Sequence, residues 1–145
     1  MNHATLRRLA MITALLVPGT ALATAATVHK TPTCGCCDFY VDYLENQGFN
    51  VDVVDHDSMN PIFQEMGVDR RMASCHTTEI GPYTVIGHMP VDVIEHLLDE
   101  RPMIRGITLP GMPVGSPGMP GEKQEPFTVY HITADAEDPE VSGHF

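Results

Sequence analysis

Proline and glycine divide the middle of this 145-residue chain into short segments, and this division limits what the chain can fold into. Proline has no amide N–H and a fixed φ, and glycine favours the left-handed backbone just past a helix end. Regular secondary structure must therefore start or stop where these residues stand. They are Pro32, Gly48, Gly67, Pro90 and Pro102.

Between these breaks, the spacing of apolar residues predicts the order β-α-β-α-β-β-α. Residues 49–56 (F-N-V-D-V-V-D-H) alternate and are rich in valine, which is typical of a strand, whereas Val91, Ile94 and Leu97 recur at helical spacing. This order indicates an α/β domain. The predicted strands are 26–31, 49–56, 74–80 and 83–86, and the predicted helices are 38–47, 61–66 and the segment that starts at Pro90.

After residue 102 the pattern changes to a Pro/Gly/Met-rich extension. Residues 110–120 (P-G-M-P-V-G-S-P-G-M-P) contain Pro-Gly-Met-Pro twice, so they can form neither a helix nor a central strand. The large side chains of this loop are two methionines and a valine, and we expect another part of the protein to receive them. One more strand is predicted at 127–133, which gives a domain over 24–133 and an acidic, mobile tail over 134–145.

The first 23 residues have the pattern of a secretory signal peptide. Arg7 and Arg8 precede an apolar run at 9–17, and Ala21-Leu22-Ala23 supplies a small-residue cleavage pattern. Nine apolar residues are too few to cross a bilayer core of about 30 Å, which disfavours an uncleaved anchor. We expect cleavage near Ala23 and export to the periplasm, an oxidising compartment in which disulfides can form.

The charge balance argues against two classes of partner. The chain has 8 Lys and Arg against 19 Asp and Glu, and loss of Arg7 and Arg8 with the signal peptide lowers the formal net charge from −11 by two, to −13. Nucleic-acid binding and polybasic membrane binding both need clustered positive charge. We therefore expect neither nucleic acid nor, after signal cleavage, the membrane as a partner.

Three cysteines lie together between the first predicted strand and the first predicted helix. Cys34 and Cys37 form a C-x-x-C pair at a helix N-terminus, where the helix dipole and free N–H groups favour the thiolate. A thiol redox enzyme needs only two sulfurs, and Cys36 would intrude as a competing nucleophile. Three thiolates within four residues suit a soft ion such as Cu(I) or Zn(II).

Cys75 is a fourth thiol, and the predicted topology places its segment beside the first strand-to-helix turn. Four cysteines in an exported chain also permit a framework of two disulfides. Two features argue against that alternative. Cys36 and Cys37 are adjacent and cannot pair without strain, and three cysteines in one turn close almost no loop, so such bridges would stabilise little.

Histidine and methionine offer further ligands near these thiols. His88 precedes a helix start, where the helix dipole disfavours protonation and keeps the imidazole able to ligate. His76 follows Cys75 along a predicted strand, so we expect its side chain on the opposite face and outside the first set of ligands. Met112 and Met119 could supply thioethers to Cu(I) or could simply fill gaps in the core. The histidines that we expect to be ordinary surface side chains are His29, His56, His96, His131 and His144.

Four motifs resemble the CopG-type family of periplasmic proteins linked to copper resistance. They are T-P-T-C-G-C-C at 31–37, S-C-H-T at 74–77, G-H-M-P at 87–90 and P-G-M-P-V-G-S-P-G-M at 110–119. The resemblance implies a thioredoxin-like fold, copper bound by the cysteines, and redox interconversion of Cu(I) and Cu(II). The chain departs from the family where members usually carry Gly and Trp, since Asp38 and Tyr40 stand there.

Three functions therefore compete at the level of sequence. The first is a periplasmic copper-binding protein, a possible copper oxidoreductase, in which Cys34 and Cys37 are redox-active and copper ions and other periplasmic copper-handling proteins are the partners. The second is a metal-free thiol–disulfide oxidoreductase that uses the same two cysteines. The third is a passive zinc or structural module. The metal ligands expected under the first function are Cys34, Cys36, Cys37, Cys75 and His88.

Overall fold

The computed structural model of the protein describes residues 23–132 and 139–145. The predicted signal peptide, apart from its last residue, and the start of the predicted tail at 133–138 lie outside these described residues. Within the described ranges, no helix is long and apolar enough to span a membrane.

Strands and helices follow the predicted order β-α-β-α-β-β-α and continue into three further strands. This confirms the mixed α/β class. The elements are β1 (Ala25–Lys30), α1 (Gly35–Asn46), β2 (Asn50–Asp55), α2 (Asn60–Glu65), a 3-10 turn (Arg70–Met72), β3 (Thr77–Ile80), β4 (Tyr83–Ile86), α3 (Val91–Glu100), β5 (Gly106–Thr108), β6 (Thr128–Ile132) and β7 (Val141–His144).

All seven of these strands form one mixed sheet in the order β2-β1-β3-β4-β5-β6-β7. β1 pairs parallel to β2 and antiparallel to β3, β3 and β4 form an antiparallel hairpin, and β5 lies parallel to β4. β6 and β7 add antiparallel strands at the far edge. The thioredoxin-like assignment of this arrangement stays a prediction.

Helices pack on both faces of the sheet. On one face, side chains of α1 and α3 such as Tyr40, Leu44 and Ile94 form a buried cluster with Val28 and Val85 of the sheet. On the other face, the α2 side chain Phe63 packs with Ile86 and Ile132 in a smaller cluster. Neighbouring residues of β4 thus point to opposite faces and pack into different clusters. The chain between β1 and α1 lies at one end of the sheet.

The structure corrects several predicted boundaries. α1 begins at Gly35, three residues earlier than predicted, and β3 begins at Thr77, three residues later. β5 was not predicted at all, because three residues carry no recognisable alternation. Its first residue, Gly106, packs so closely against β4 that a Cβ there would lie 1.8 Å from the carbonyl oxygen of Thr84.

The prediction of a mobile tail over 134–145 is wrong for residues 141–144, which form β7. The backbone of this segment pairs with β6, and the two end residues exchange hydrogen bonds, Phe127 N–H to Phe145 O at 2.7 Å and Phe145 N–H to Phe127 O at 3.0 Å. The Phe145 ring also packs against the main core. The sequence V-S-G-H has one strongly apolar residue and therefore gives no strand signal of its own.

Removal of residues 139–145 should lower the free energy of unfolding by about 2 to 5 kcal/mol. Two backbone hydrogen bonds contribute about 0.5 to 1.5 kcal/mol each, and a partly buried phenylalanine adds about 1 to 2 kcal/mol. Urea unfolding of the shortened chain measures this loss. Val141→Thr is the matched control, because Val141 is 47% exposed and its replacement should cost far less. A truncated chain as stable as the full one would mean that β7 adds nothing.

Candidate metal centre

The first three cysteines are placed by the turn that leads from β1 into α1. The N–H of Cys34 donates to Thr31 O at 3.1 Å, and the N–H of Cys37 donates to Cys34 O at 3.1 Å, so the helix starts within the cysteine motif. Cys34 and Cys37 form a disulfide with their Cα atoms 5.3 Å apart. Cys37 is fully buried, whereas Cys34 and Cys36 are partly exposed.

The fourth cysteine meets the other three, as the topology predicted. The Sγ of Cys36 lies 3.6 Å from that of Cys34 and 3.9 Å from that of Cys75. All four sulfurs lie within 4.8 Å of one another, and we call these four residues the sulfur cluster. Cys36 and Cys75 are free thiols, so the structure has one disulfide and lacks the two-bridge framework.

Two histidines extend the sulfur cluster from the side of Cys75. The Cys75 Sγ lies 3.1 Å from His88 Nε2 and 3.3 Å from His76 Nδ1. The three side chains form a second group with all ligand atoms within 4.8 Å. The expectation that His76 points away is wrong, because β3 begins only at Thr77 and strand alternation does not apply to the residues before it.

The Pro/Gly/Met segment covers this centre. The His88 Nδ1–H donates to Pro117 O at 2.7 Å, which leaves the Nε2 lone pair directed at Cys75. The Met112 Sδ lies 3.8 Å from Cys36 Sγ. Met119 is held through its backbone, whose N–H donates to Ser116 O at 2.9 Å. Of the two methionines in this segment, Met112 is therefore the one whose sulfur contacts the sulfur cluster.

Both ends of this segment are anchored to neighbouring parts of the centre. The Ser74 hydroxyl donates to Gly111 O, and the N–H of Gly111 donates to Ala73 O at 3.2 Å, next to Cys75. At the other end, Gly118 lies against the first turn of α1, where a Cβ would come 2.9 Å from Tyr40 N and 3.1 Å from Cys36 O. Glycine is required here because both its positive φ and the close approach exclude a side chain.

Burial keeps the two imidazoles of this centre neutral and the thiol of Cys75 protonated. Burial lowers the pKa of His88, and burial together with the neighbouring His88 lowers the pKa of His76 to about 3. Burial, then the neighbouring Cys36, raises the pKa of the Cys75 thiol to about 12. At neutral pH the histidines can therefore act as ligands at once, whereas a metal ion must displace the proton of Cys75.

Two residues beneath the centre were not identified from the sequence as contributors. Tyr40 is fully buried, its ring lies 4.6 Å from that of His76 and 5.3 Å from that of His88, and its hydroxyl donates to Met89 O at 2.9 Å. Lys30 is buried and places its Nζ 2.9 Å from Asp38 and 3.3 Å from Asp55. This ammonium balances the charge that Asp38 adds next to the cysteine motif.

The fold and this centre define a mixed α/β protein in which four cysteine sulfurs, two of them joined in a disulfide, lie beside two neutral imidazoles and a thioether and could hold a metal ion. A family model described as a protein of unknown function, DUF411, matches residues 72–119. A comparison with curated proteins finds no match.

Two solved structures, described as copper resistance protein CopG in form 2 and form 1, are similar to this chain over most of its length. Each is 36% identical, with 85% of this chain and 98% of the solved chain covered, and the TM-scores are 0.75 and 0.74. The chain therefore belongs to the CopG family, which confirms the resemblance drawn from the four sequence motifs.

Replacement of Gly118 by Ala should raise the pKa of His88 towards its ordinary value. The new Cβ would push the covering segment away from α1, and burial is the main cause of the lowered pKa of His88. An NMR pH titration of the His88 ring in the metal-free protein measures the change. Gly111→Ala is the control, since Gly111 has a similar φ of +70° but open space around it. Equal pKa values in the two variants would contradict a covering role for Gly118.

Proposed function

We propose that this protein binds copper in the periplasm as part of copper resistance and interconverts Cu(I) and Cu(II) by thiol redox chemistry. The observation that carries the proposal is the convergence of four cysteine sulfurs, within 4.8 Å of one another, beside a buried neutral histidine. The two similar solved structures, described as copper resistance proteins, support the choice of copper. Copper is the substrate of this site.

The ligand set favours Cu(I) over Zn(II). The proposed ligands are Cys34, Cys36, Cys37, Cys75 and His88, and soft thiolates prefer Cu(I). Met112 adds a thioether 3.8 Å from Cys36, which is a ligand suited to Cu(I) and foreign to zinc sites. The carbonyl of Pro117 supports His88 as a ligand for either metal, because metal-bound histidines commonly donate their second ring N–H to such an acceptor.

The redox step uses Cys34 and Cys37 as a two-electron donor. Two Cu(II) ions each take one electron, the two thiols lose two electrons and two protons, and the products are two Cu(I) ions and the Cys34–Cys37 disulfide. Cys36, Cys75 and His88 are not consumed, so they can retain Cu(I) as the disulfide forms. Cu(I) held by the Cys34 and Cys37 thiolates favours the reduced pair by mass action, whereas Cu(I) held by Cys36, Cys75 and His88 favours oxidation of the pair. About 30 mV of thiol potential corresponds to about 1.4 kcal/mol of such binding energy.

Export and a thioredoxin-like fold complete the proposal. The signal peptide predicted at 1–23 would deliver a domain over 24–133 to an oxidising compartment, where the disulfide can form and be cycled. The parallel β1–β2 pair and the β3–β4 hairpin support the thioredoxin-like assignment. The proposed partners are copper ions and other periplasmic proteins that handle copper.

The alternative is a metal-free thiol–disulfide oxidoreductase, and one observation favours it. Cys34 and Cys37 form a disulfide at the start of a helix, which is where such enzymes carry their reactive pair. That function does not use Cys36, Met112 or His88. The two candidates therefore differ in what loss of Cys36 should do.

Cys36→Ser should weaken Cu(I) binding by more than about tenfold and leave the fold intact, because Cys36 forms no disulfide. Loss of an outer partner of a metal site alone costs about 10- to 100-fold, and Cys36 is proposed to touch the ion. Competition with a Cu(I) chelator measures the affinity, and wild-type protein should prefer Cu(I) far above Zn(II).

Met103→Leu is the matched control for sulfur content, since Met103 is fully exposed and should not alter copper binding. If Cys36→Ser retains copper as firmly as wild type, the three-thiolate site is wrong. Failure of the wild-type protein to retain Cu(I) against the chelator would favour the metal-free oxidoreductase. Cooperative loss of the fold would instead identify Cys36 as structural.

Cu(II) added to the fully reduced protein under argon should be converted to bound Cu(I). The paramagnetic signal of Cu(II) should disappear, and two thiols should be lost for every two ions reduced. Mass spectrometry after alkylation should identify Cys34 and Cys37 as the oxidised pair. Cu(II) that stays paramagnetic while all four thiols can still be titrated would reduce the proposal to copper binding without redox chemistry.

A further inference from the structure

Two histidines meet on the sheet face that points away from α1. Val28 and Lys30 of β1 face α1, so His29 between them lies on the other face. His56 directly follows β2, and its N–H donates to Lys30 O at 2.8 Å, which fixes it beside the end of β1. The Nδ1 of His29 lies 2.9 Å from the Nε2 of His56. The expectation that both are isolated surface side chains is therefore wrong.

The second ring nitrogen of His29, Nε2, determines which nitrogen of His29 carries the proton and which can bind a metal ion. This Nε2 is buried and has no hydrogen-bond partner, and the carboxylate of Glu79 on β3 is 3.8 Å away. A proton on Nε2 is attracted by that carboxylate, which leaves the Nδ1 lone pair pointing at His56. A histidine between a carboxylate and a metal ion has this same arrangement, in which the carboxylate fixes the tautomer and strengthens the ligand.

We propose that His29 and His56 form a Cu(II) site with nitrogen ligands, separate from the sulfur cluster. Two nitrogens at about 2.0 to 2.1 Å from one ion and at right angles to each other lie about 2.8 to 3.0 Å apart, and Cu(II) prefers such tetragonal N and O geometry. The observed separation is 2.9 Å. The ring centroids are 5.1 Å apart and the ring planes are 28° apart, so the rings must turn for both lone pairs to point at one ion.

The step from free to bound protein is a change of tautomer at His56. In the free protein the His56 Nε2–H donates to His29 Nδ1; when Cu(II) binds, the proton leaves Nε2 and one is taken up at Nδ1, so the ring stays neutral and no net proton is released. The rings are only partly exposed, and Glu79 is 55% exposed, so water can reach the ion and complete its coordination. The low ratio of 8 Lys and Arg to 19 Asp and Glu makes the chain attractive to a cation.

Electron paramagnetic resonance with Cu(II) as the probe tests this site. The protein is first loaded with Cu(I) under argon with the Cys34–Cys37 disulfide intact, so that the thiol pair proposed to reduce Cu(II) is already oxidised. Wild-type protein should then bind one Cu(II) with nitrogen hyperfine splitting, and His29→Gln or His56→Gln should weaken that binding by more than about tenfold. Glu79→Gln should weaken it by about 10- to 100-fold.

His96→Gln is the matched control, because His96 is exposed on α3 and should leave the signal unchanged. Circular dichroism checks the fold, and His56→Gln alone decides the matter if His29→Gln does not fold. The proposal is overturned if His56→Gln binds the nitrogen-ligated Cu(II) as tightly as wild type, or if wild type binds none.

A second arm separates this proposal from the copper chemistry of the sulfur cluster. The same Cu(II) titration is run on protein with the disulfide intact and both free thiols alkylated. Nitrogen-ligated Cu(II) that depends on His56 in this arm supports the His29–His56 site even if the sulfur cluster takes no Cu(I). Its absence there overturns the site whatever the sulfur cluster binds.

Discussion

The hydrogen bond from His88 to the carbonyl of Pro117 joins the two halves of the candidate centre. It joins the Pro/Gly/Met segment, which forms neither helix nor strand, to His88, which lies shortly before α3. The nitrogen–oxygen distance is 2.7 Å. Because a carbonyl only accepts, this contact fixes the proton on Nδ1 and frees Nε2. The orientation of the His88 Nε2 thus depends on the Pro/Gly/Met segment, which packs against α1 at Gly118.

Electrostatics in this region follow from burial. Two imidazoles, a tyrosine and a thiol are packed together with little solvent, and burial disfavours the charged form of each group. These four side chains are therefore uncharged before a metal ion arrives, although the chain as a whole is strongly acidic. The Lys30 ammonium lies between the carboxylates of Asp38 and Asp55, near the first turn of α1, and offsets part of their negative charge.

Sequence alone could predict the parts of the centre that are local. The spacing of Cys34, Cys36 and Cys37 places three sulfurs in one turn whatever the rest of the chain does, and the β-α-β order was enough to bring Cys75 to them. His76 was misplaced because its orientation depends on where β3 begins, and boundaries are poorly defined by an apolar pattern. β5 and β7 escaped detection because pairing with a neighbouring strand, more than their own residues, makes them strands.

Because Cys37 is buried, only one of the two sulfurs of the disulfide can be attacked from solvent. Exchange requires a thiolate to reach a sulfur, and of the two bonded sulfurs only that of Cys34 belongs to a partly exposed residue. Any external reductant must therefore form its mixed disulfide with Cys34 and release Cys37 into the interior. The released Cys37 thiol and Cys36, whose Sγ is 3.6 Å from that of Cys34, are both internal nucleophiles beside this mixed disulfide, so the protein itself can displace a captured partner.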